Sequence, residues 1–269
     1  MIKIKLEIRD FIVLISLLGI FFSTNFETNL GNIFSIVILA ATIAYVLDKK
    51  HAIDIETNEN KTKSILYTVG AYLLFIFSSS FIIPLIFSVV KFFDPSLTIN
   101  LSAFTLNSII NTFSQTNLAL TGNSILQFLA LTFFIAPAET VFFFGTLYEY
   151  LLDKFKAVLG FNVKNASIIL ILASIFTYIH ITAKGVSNNE ALLLVFYFAV
   201  ISMVLITVTK QLLEAILLHV IANGVAGFSL IGVTVSGMSI VLYAAGFGVL
   251  LYLLTRKFSF KQFKLTRNL

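Results

Sequence analysis

Long apolar runs separated by short polar segments make up most of this chain. A run of about 20 apolar residues is the length of an α-helix that crosses a bilayer, and a helix pairs its own backbone amides in lipid. The pattern therefore predicts an all-α, multi-pass membrane protein with eight transmembrane helices. The predicted spans are approximately Phe11–Phe22, Ile33–Leu47, Ser64–Val90, Ile125–Leu152, Ala166–Thr182, Ala191–Thr209, Gln211–Leu230 and Val233–Leu254.

The composition predicts a single integral membrane domain over residues 1–269. The chain is 58% hydrophobic and only 12% charged, whereas a soluble domain carries about 25% charged residues. Its mean hydropathy is +0.99. The chain has no Cys, which excludes disulfides, Cys nucleophiles and Cys-ligated metal sites.

The basic residues predict the orientation in the membrane. If the N-terminus is cytoplasmic, 16 of the 18 Lys and Arg residues fall in cytoplasmic segments, and only Lys91 and Lys184 lie outside. Cytoplasmic loops of membrane proteins carry such an excess. We therefore expect a cell-membrane protein with both termini cytoplasmic, and we attribute the net charge of +5 to topology rather than to nucleic-acid binding.

Four of the polar side chains inside the predicted spans are candidates for chemistry. His219 and Asn223 are four residues apart in an apolar helix, so they share one face. Glu139 lies in the fourth span and His180 near the end of the fifth. Polar groups in hydrocarbon cost several kcal/mol or so unless they find partners. We therefore predict that all four face one polar cavity near the middle of the membrane.

These residue types fit three kinds of chemistry. A carboxylate, two imidazoles and an amide can activate water and stabilise an oxyanion during amide hydrolysis. Glu139, His180 and His219 are also candidate ligands of a divalent metal such as zinc. A proton-coupled transporter that uses Glu139 and the histidines as a relay is the third possibility.

The order and spacing of these residues resemble a known family. A Glu with a Gly six residues later is followed by FTYIH, and then, two helices on, by HVIAN. This arrangement resembles the CAAX protease and bacteriocin-processing family of intramembrane proteases. The stretch KQLLEAILLHVIAN is similar to that family's last motif. The resemblance covers about residues 125–230.

The resemblance implies a role for each of the four residues. Glu139 matches the Glu that activates water, and Asn223 matches the Asn that helps to hold the water and the oxyanion. His180 and His219 match the two motif histidines. The resemblance thus implies an intramembrane endopeptidase that acts on a membrane-associated or lipidated peptide or protein at the lipid bilayer.

Two positions depart from the family pattern. Thr140 stands where the motif has a second Glu, and Phe144 stands where it has an Arg. Both departures remove charges that would accompany Glu139. They leave open a second function, in which an inactive family member serves as a membrane binding, immunity or regulatory protein.

Other carboxylates have simpler interpretations. Glu149 and Asp153 are predicted to be solvated at the cytoplasmic interface beside Lys154. Glu214 is predicted to extend toward the interface and Lys210.

Overall fold

The computed structural model describes residues 61–93, 131–184, 189–228 and 238–257, with single positions at 95, 104, 105, 108, 109 and 129. Within these residues every regular element is a helix, and there is no strand. The α-helices are α1 (Lys61–Phe93), α2 (Ala136–Thr140), α3 (Tyr148–Lys154), α4 (Val163–Lys184), α5 (Asn189–Thr209), α6 (Leu212–Phe228) and α7 (Met238–Lys257).

Three of the described helices are long and apolar enough to cross a membrane. They comprise Lys63–Phe93, Val163–Ile181 and Asn189–Thr209. The prediction of a helical membrane protein is confirmed at this level. The first two predicted spans lie outside the described residues, so the count of eight stays a prediction.

The fourth predicted span is a helix whose winding changes along its length. Two π-helical segments, Leu131–Ile135 and Val141–Leu147, flank α2, and α3 continues from the second. Pro137 lies at the start of α2, where its ring excludes a regular α-helical turn. π-helical turns bond residue i to i+5 and are common at functional sites.

Helix α6 has the central position in the described bundle. It packs against α1, α2, α5, α7 and both π-helical segments. A row of fully buried apolar side chains lines it: Leu212, Ala215, Leu218, Ile221 and Val225. Since α6 carries His219 and Asn223, this packing fixes both residues within the protein interior.

The α5–α6 connection is a tight turn at Lys210. This residue has a left-handed backbone, with φ of 61°, a conformation that is uncommon for a residue other than Gly. Its amide donates to the Ile206 carbonyl at 2.7 Å, and its ammonium donates to the Leu159 carbonyl at 2.9 Å. These bonds stabilise the turn that determines where α6 begins.

Candidate functional site

The helix around Glu139 is buried on every side. Each residue from 139 to 149 is buried in the described structure. A helix that is buried all round lies in the middle of its bundle rather than against lipid. The carboxylate of Glu139 is therefore an interior group.

Glu139 and His219 form a buried pair between α2 and α6. Glu139 Oε2 lies 4.0 Å from His219 Nε2, and the two side chains are 4% and 5% exposed. This distance exceeds that of a direct hydrogen bond, which is about 2.7–3.2 Å. The pair thus interacts electrostatically across a gap in a region of low dielectric.

Thr140 contacts the other side of the same imidazole. Its Oγ1 lies 2.9 Å from His219 Nδ1 and donates to the Ala136 carbonyl at 2.8 Å. The side chain is fully buried. Glu139 and Thr140, two consecutive residues of α2, therefore lie next to different nitrogens of the His219 ring.

His180 is buried on α4 and is held by its own helix. Its Nδ1 lies 2.8 Å from the Phe176 carbonyl, and because a carbonyl only accepts, Nδ1 carries the proton. The ring of Phe176 lies 4.5 Å from the His180 ring and 6.3 Å from the His219 ring, between centroids. The Phe176 ring thus lies beside both histidine rings.

Asn223 lies one turn after His219 on α6, and its side chain is buried. The two residues share a face, as their spacing predicts. The four predicted site residues are therefore all interior groups. The structure pairs Glu139 directly with His219 and connects His180 to His219 through Phe176.

Phe144 fills interior space next to the pair. Its ring is fully buried and lies 5.2 Å from the Phe176 ring. Phe143 also lies 5.2 Å from Phe176, in an edge-to-face arrangement. Two consecutive residues can face the same neighbour because this part of the helix is π-helical. The position that the resemblance assigns to an Arg is thus part of an aromatic cluster.

The predicted metal ligands do not form a cluster in the described part of the chain. There, no group of three or more His, Cys, Asp or Glu side chains is close enough to hold a metal ion. The geometry of the described residues therefore does not support a metal site formed by Glu139, His180 and His219.

The prediction that Glu149 is solvated is wrong, because only 2% of it is exposed. Glu214 is also buried, and it accepts a hydrogen bond of 2.6 Å from Ser64 on α1.

A buried polar network joins three helices near Glu149. The Tyr148 hydroxyl donates to Asn165 Oδ1 at 2.7 Å and lies 3.1 Å from Thr207 Oγ1. Asn165 in turn donates to the Gly160 carbonyl at 2.9 Å. This network connects α3, α4 and α5, and no sequence motif indicated it.

The middle of the chain matches a family model. Residues 121–225 match the model described as type II CAAX prenyl endopeptidase Rce1-like. The match confirms the resemblance to CAAX proteases over this stretch, which contains Glu139, His180, His219 and Asn223. No curated protein and no solved structure shows a significant match to the chain.

Proposed function

We propose that this CAAX-protease-like membrane protein is an intramembrane endopeptidase that hydrolyses a peptide bond of a lipidated or membrane-associated substrate. The observation that carries the proposal is the buried pair of Glu139 and His219, with 4.0 Å between Oε2 and Nε2. Burying an ionisable pair costs free energy that apolar side chains of similar volume would not cost. A functional role accounts for its presence inside the stretch that matches the family.

In the proposed reaction, each side chain of the site has one role. The Glu139 carboxylate takes a proton from water, and the water oxygen forms a bond to the scissile carbonyl carbon. The oxyanion accepts hydrogen bonds from the Asn223 amide and from His219 while its Nε2 holds a proton. Glu139 then returns the proton to the leaving amine as the C–N bond breaks. His180 provides a further polar contact for the water.

The membrane arrangement belongs to the same proposal. Residues 1–269 form one integral domain of eight spans in the cell membrane, with both termini cytoplasmic. The basic residues support this orientation, since only Lys91 and Lys184 fall on the other side. The site lies in a polar cavity near the middle of the bilayer, where α2, α4 and α6 approach one another.

One observation favours an inactive family member. Phe144 is fully buried among aromatic rings at the position that the family pattern gives to an Arg. An apolar side chain there provides no charge to orient Glu139. In this second function the protein binds a membrane partner in an immunity or regulatory role without cleaving it.

The experiment uses the purified full chain in proteoliposomes with a prenylated CAAX peptide, and mass spectrometry detects the released C-terminal fragment. We expect cleavage by the wild type and its loss in Glu139→Gln. Glu149→Gln is the matched control, because Glu149 is an equally buried carboxylate on the same helix. Equal cleavage by Glu139→Gln and the wild type would contradict the proposal. Proton flux without cleavage, reported by a pH dye inside the vesicles, would favour a transporter.

A further inference from the structure

We propose that Thr140 is a positioning residue that keeps a proton on His219 Nδ1, so that Nε2 is the ring nitrogen left to interact with Glu139 and with the substrate. The catalytic consequence rests on the proposed function, whereas the location of the proton does not. Thr140 therefore has a role of its own at the position where the family pattern has a Glu.

The Thr140 hydroxyl has a single proton to donate. Its Oγ1 donates to the Ala136 carbonyl at 2.8 Å, and that carbonyl oxygen can only accept. The hydroxyl then has only lone pairs left for His219 Nδ1, which lies 2.9 Å away. A hydrogen bond at this distance requires the proton to be on Nδ1, so the ring donates and Thr140 accepts.

This bond excludes one of the three protonation states of the imidazole. If Nδ1 had no proton, its lone pair would face the lone pairs of a fully buried hydroxyl oxygen. The two remaining states are the neutral ring with its lone pair on Nε2 and the ring protonated on both nitrogens. They differ only at Nε2, the nitrogen that lies 4.0 Å from Glu139 Oε2.

The hydrogen bond on one ring nitrogen generally determines the chemistry of the other. In the proposed hydrolysis, His219 Nε2 acts as a donor to the oxyanion only while it holds a proton. The same nitrogen, when neutral, accepts from water or from protonated Glu139. Thr140 thus limits proton exchange to the side of the ring where the reaction takes place.

His180 shows the same arrangement with a different partner. Its Nδ1 donates to the Phe176 carbonyl at 2.8 Å. Both buried imidazoles therefore donate from Nδ1 to an acceptor on a helix, which leaves Nε2 of each ring for other partners. For His219, Thr140 provides that acceptor without adding a second negative charge next to Glu139.

The test measures the location of the proton by NMR of protein labelled with ¹⁵N-His. The chain has three His residues, so single substitutions of His51 and His180 assign the His219 signals. Protonated and unprotonated ring nitrogens have well-separated ¹⁵N shifts. We expect Nδ1 of His219 to be protonated in the wild type and in Thr140→Ser. In Thr140→Val, which has no hydroxyl, we expect the Nε2-protonated tautomer to appear.

Thr146→Val is the matched control. Thr146 is a buried Thr on the same helix, and its hydroxyl donates to the Val141 carbonyl at 3.4 Å. We expect this variant to keep the wild-type His219 signals. An unprotonated Nδ1 in the wild type, or unchanged His219 signals in Thr140→Val, would overturn the proposal whether or not the protein cleaves peptides.

A kinetic measurement tests the consequence for catalysis. Loss of a partner that orients a functional His typically costs about 10–100-fold in activity. We expect Thr140→Val to lower kcat by roughly that factor with little change in KM, and we expect Thr140→Ser to restore it. If the wild type cleaves the peptide and Thr140→Val is fully active, the positioning role is refuted. A wild type that cleaves nothing would refute the proposed function, and the NMR result would still decide the location of the proton.

Discussion

Phe144→Arg tests whether the aromatic cluster has replaced the family's charged motif. Phe144 is fully buried, and its ring lies 5.2 Å from that of Phe176. Thr140 lies four residues earlier on the same helix. An Arg at 144 introduces a cation into an apolar space, one turn from residues 139 and 140.

The expected cost is the sum of two effects. Loss of a buried Phe side chain removes about 1.5–3 kcal/mol of burial. A buried charge without a full partner costs about 3–5 kcal/mol. We therefore expect Phe144→Arg to lower the free energy of unfolding by on the order of 5 kcal/mol. Phe144→Met, which keeps an apolar side chain of similar size, should cost about 1.5 kcal/mol or less.

The double variant Thr140→Glu with Phe144→Arg separates the cost of the buried charge from the cost of the lost Phe packing. A carboxylate at 140 can pair with the new cation and still accept the His219 Nδ1 proton, so we expect it to recover up to about 3 kcal/mol. Equilibrium unfolding in mixed micelles compares these three variants with the wild type. If Phe144→Arg is no less stable than Phe144→Met, the space around residue 144 is not closed and apolar.

Two further predictions concern the polar network and the topology. Tyr148→Phe removes the hydroxyl that connects α3 to α4 and α5, and we expect a loss of about 1–3 kcal/mol in the same unfolding assay; an unchanged midpoint would mean that the network adds no stability. Since the chain has no Cys, introduced Cys residues report orientation directly. Lys91→Cys should react with an impermeant thiol reagent added outside the cell, and Lys156→Cys only after permeabilisation; the reverse pattern would invert the predicted topology.

The sequence alone predicts that Glu139, His180, His219 and Asn223 are interior groups, but it does not predict all of their partners. His219 and Asn223 share a face because helical periodicity is a local property. The contact between Thr140 and His219 Nδ1 joins residues far apart in sequence, and only the packing of α2 against α6 brings them together. Periodicity also assumes regular α-helical winding, so it could not predict the π-helical segment that turns Phe143 and Phe144 toward Phe176.

The carboxylates of Glu149 and Glu214 show a second limit. Asp153 and Lys154 follow Glu149 closely and predict a solvated side chain, yet the structure exposes Asp153 and Lys154 and buries Glu149. Glu214 lies in the first turn of its helix, and nothing near it in the sequence indicates that Ser64, at the start of α1, donates a hydrogen bond to it. In both cases tertiary burial outweighs what neighbours in the sequence suggest.

The most direct test of the central claim is a double-mutant cycle on Glu139 and His219, measured as cleavage of the prenylated peptide in proteoliposomes. If the two side chains act as one catalytic unit, Glu139→Gln and His219→Ala should each lower kcat by about 10²–10⁴-fold. The double variant should then be little worse than either single one. Multiplicative losses, or full activity in Glu139→Gln at matched protein levels, would contradict the claim that this buried pair carries out hydrolysis.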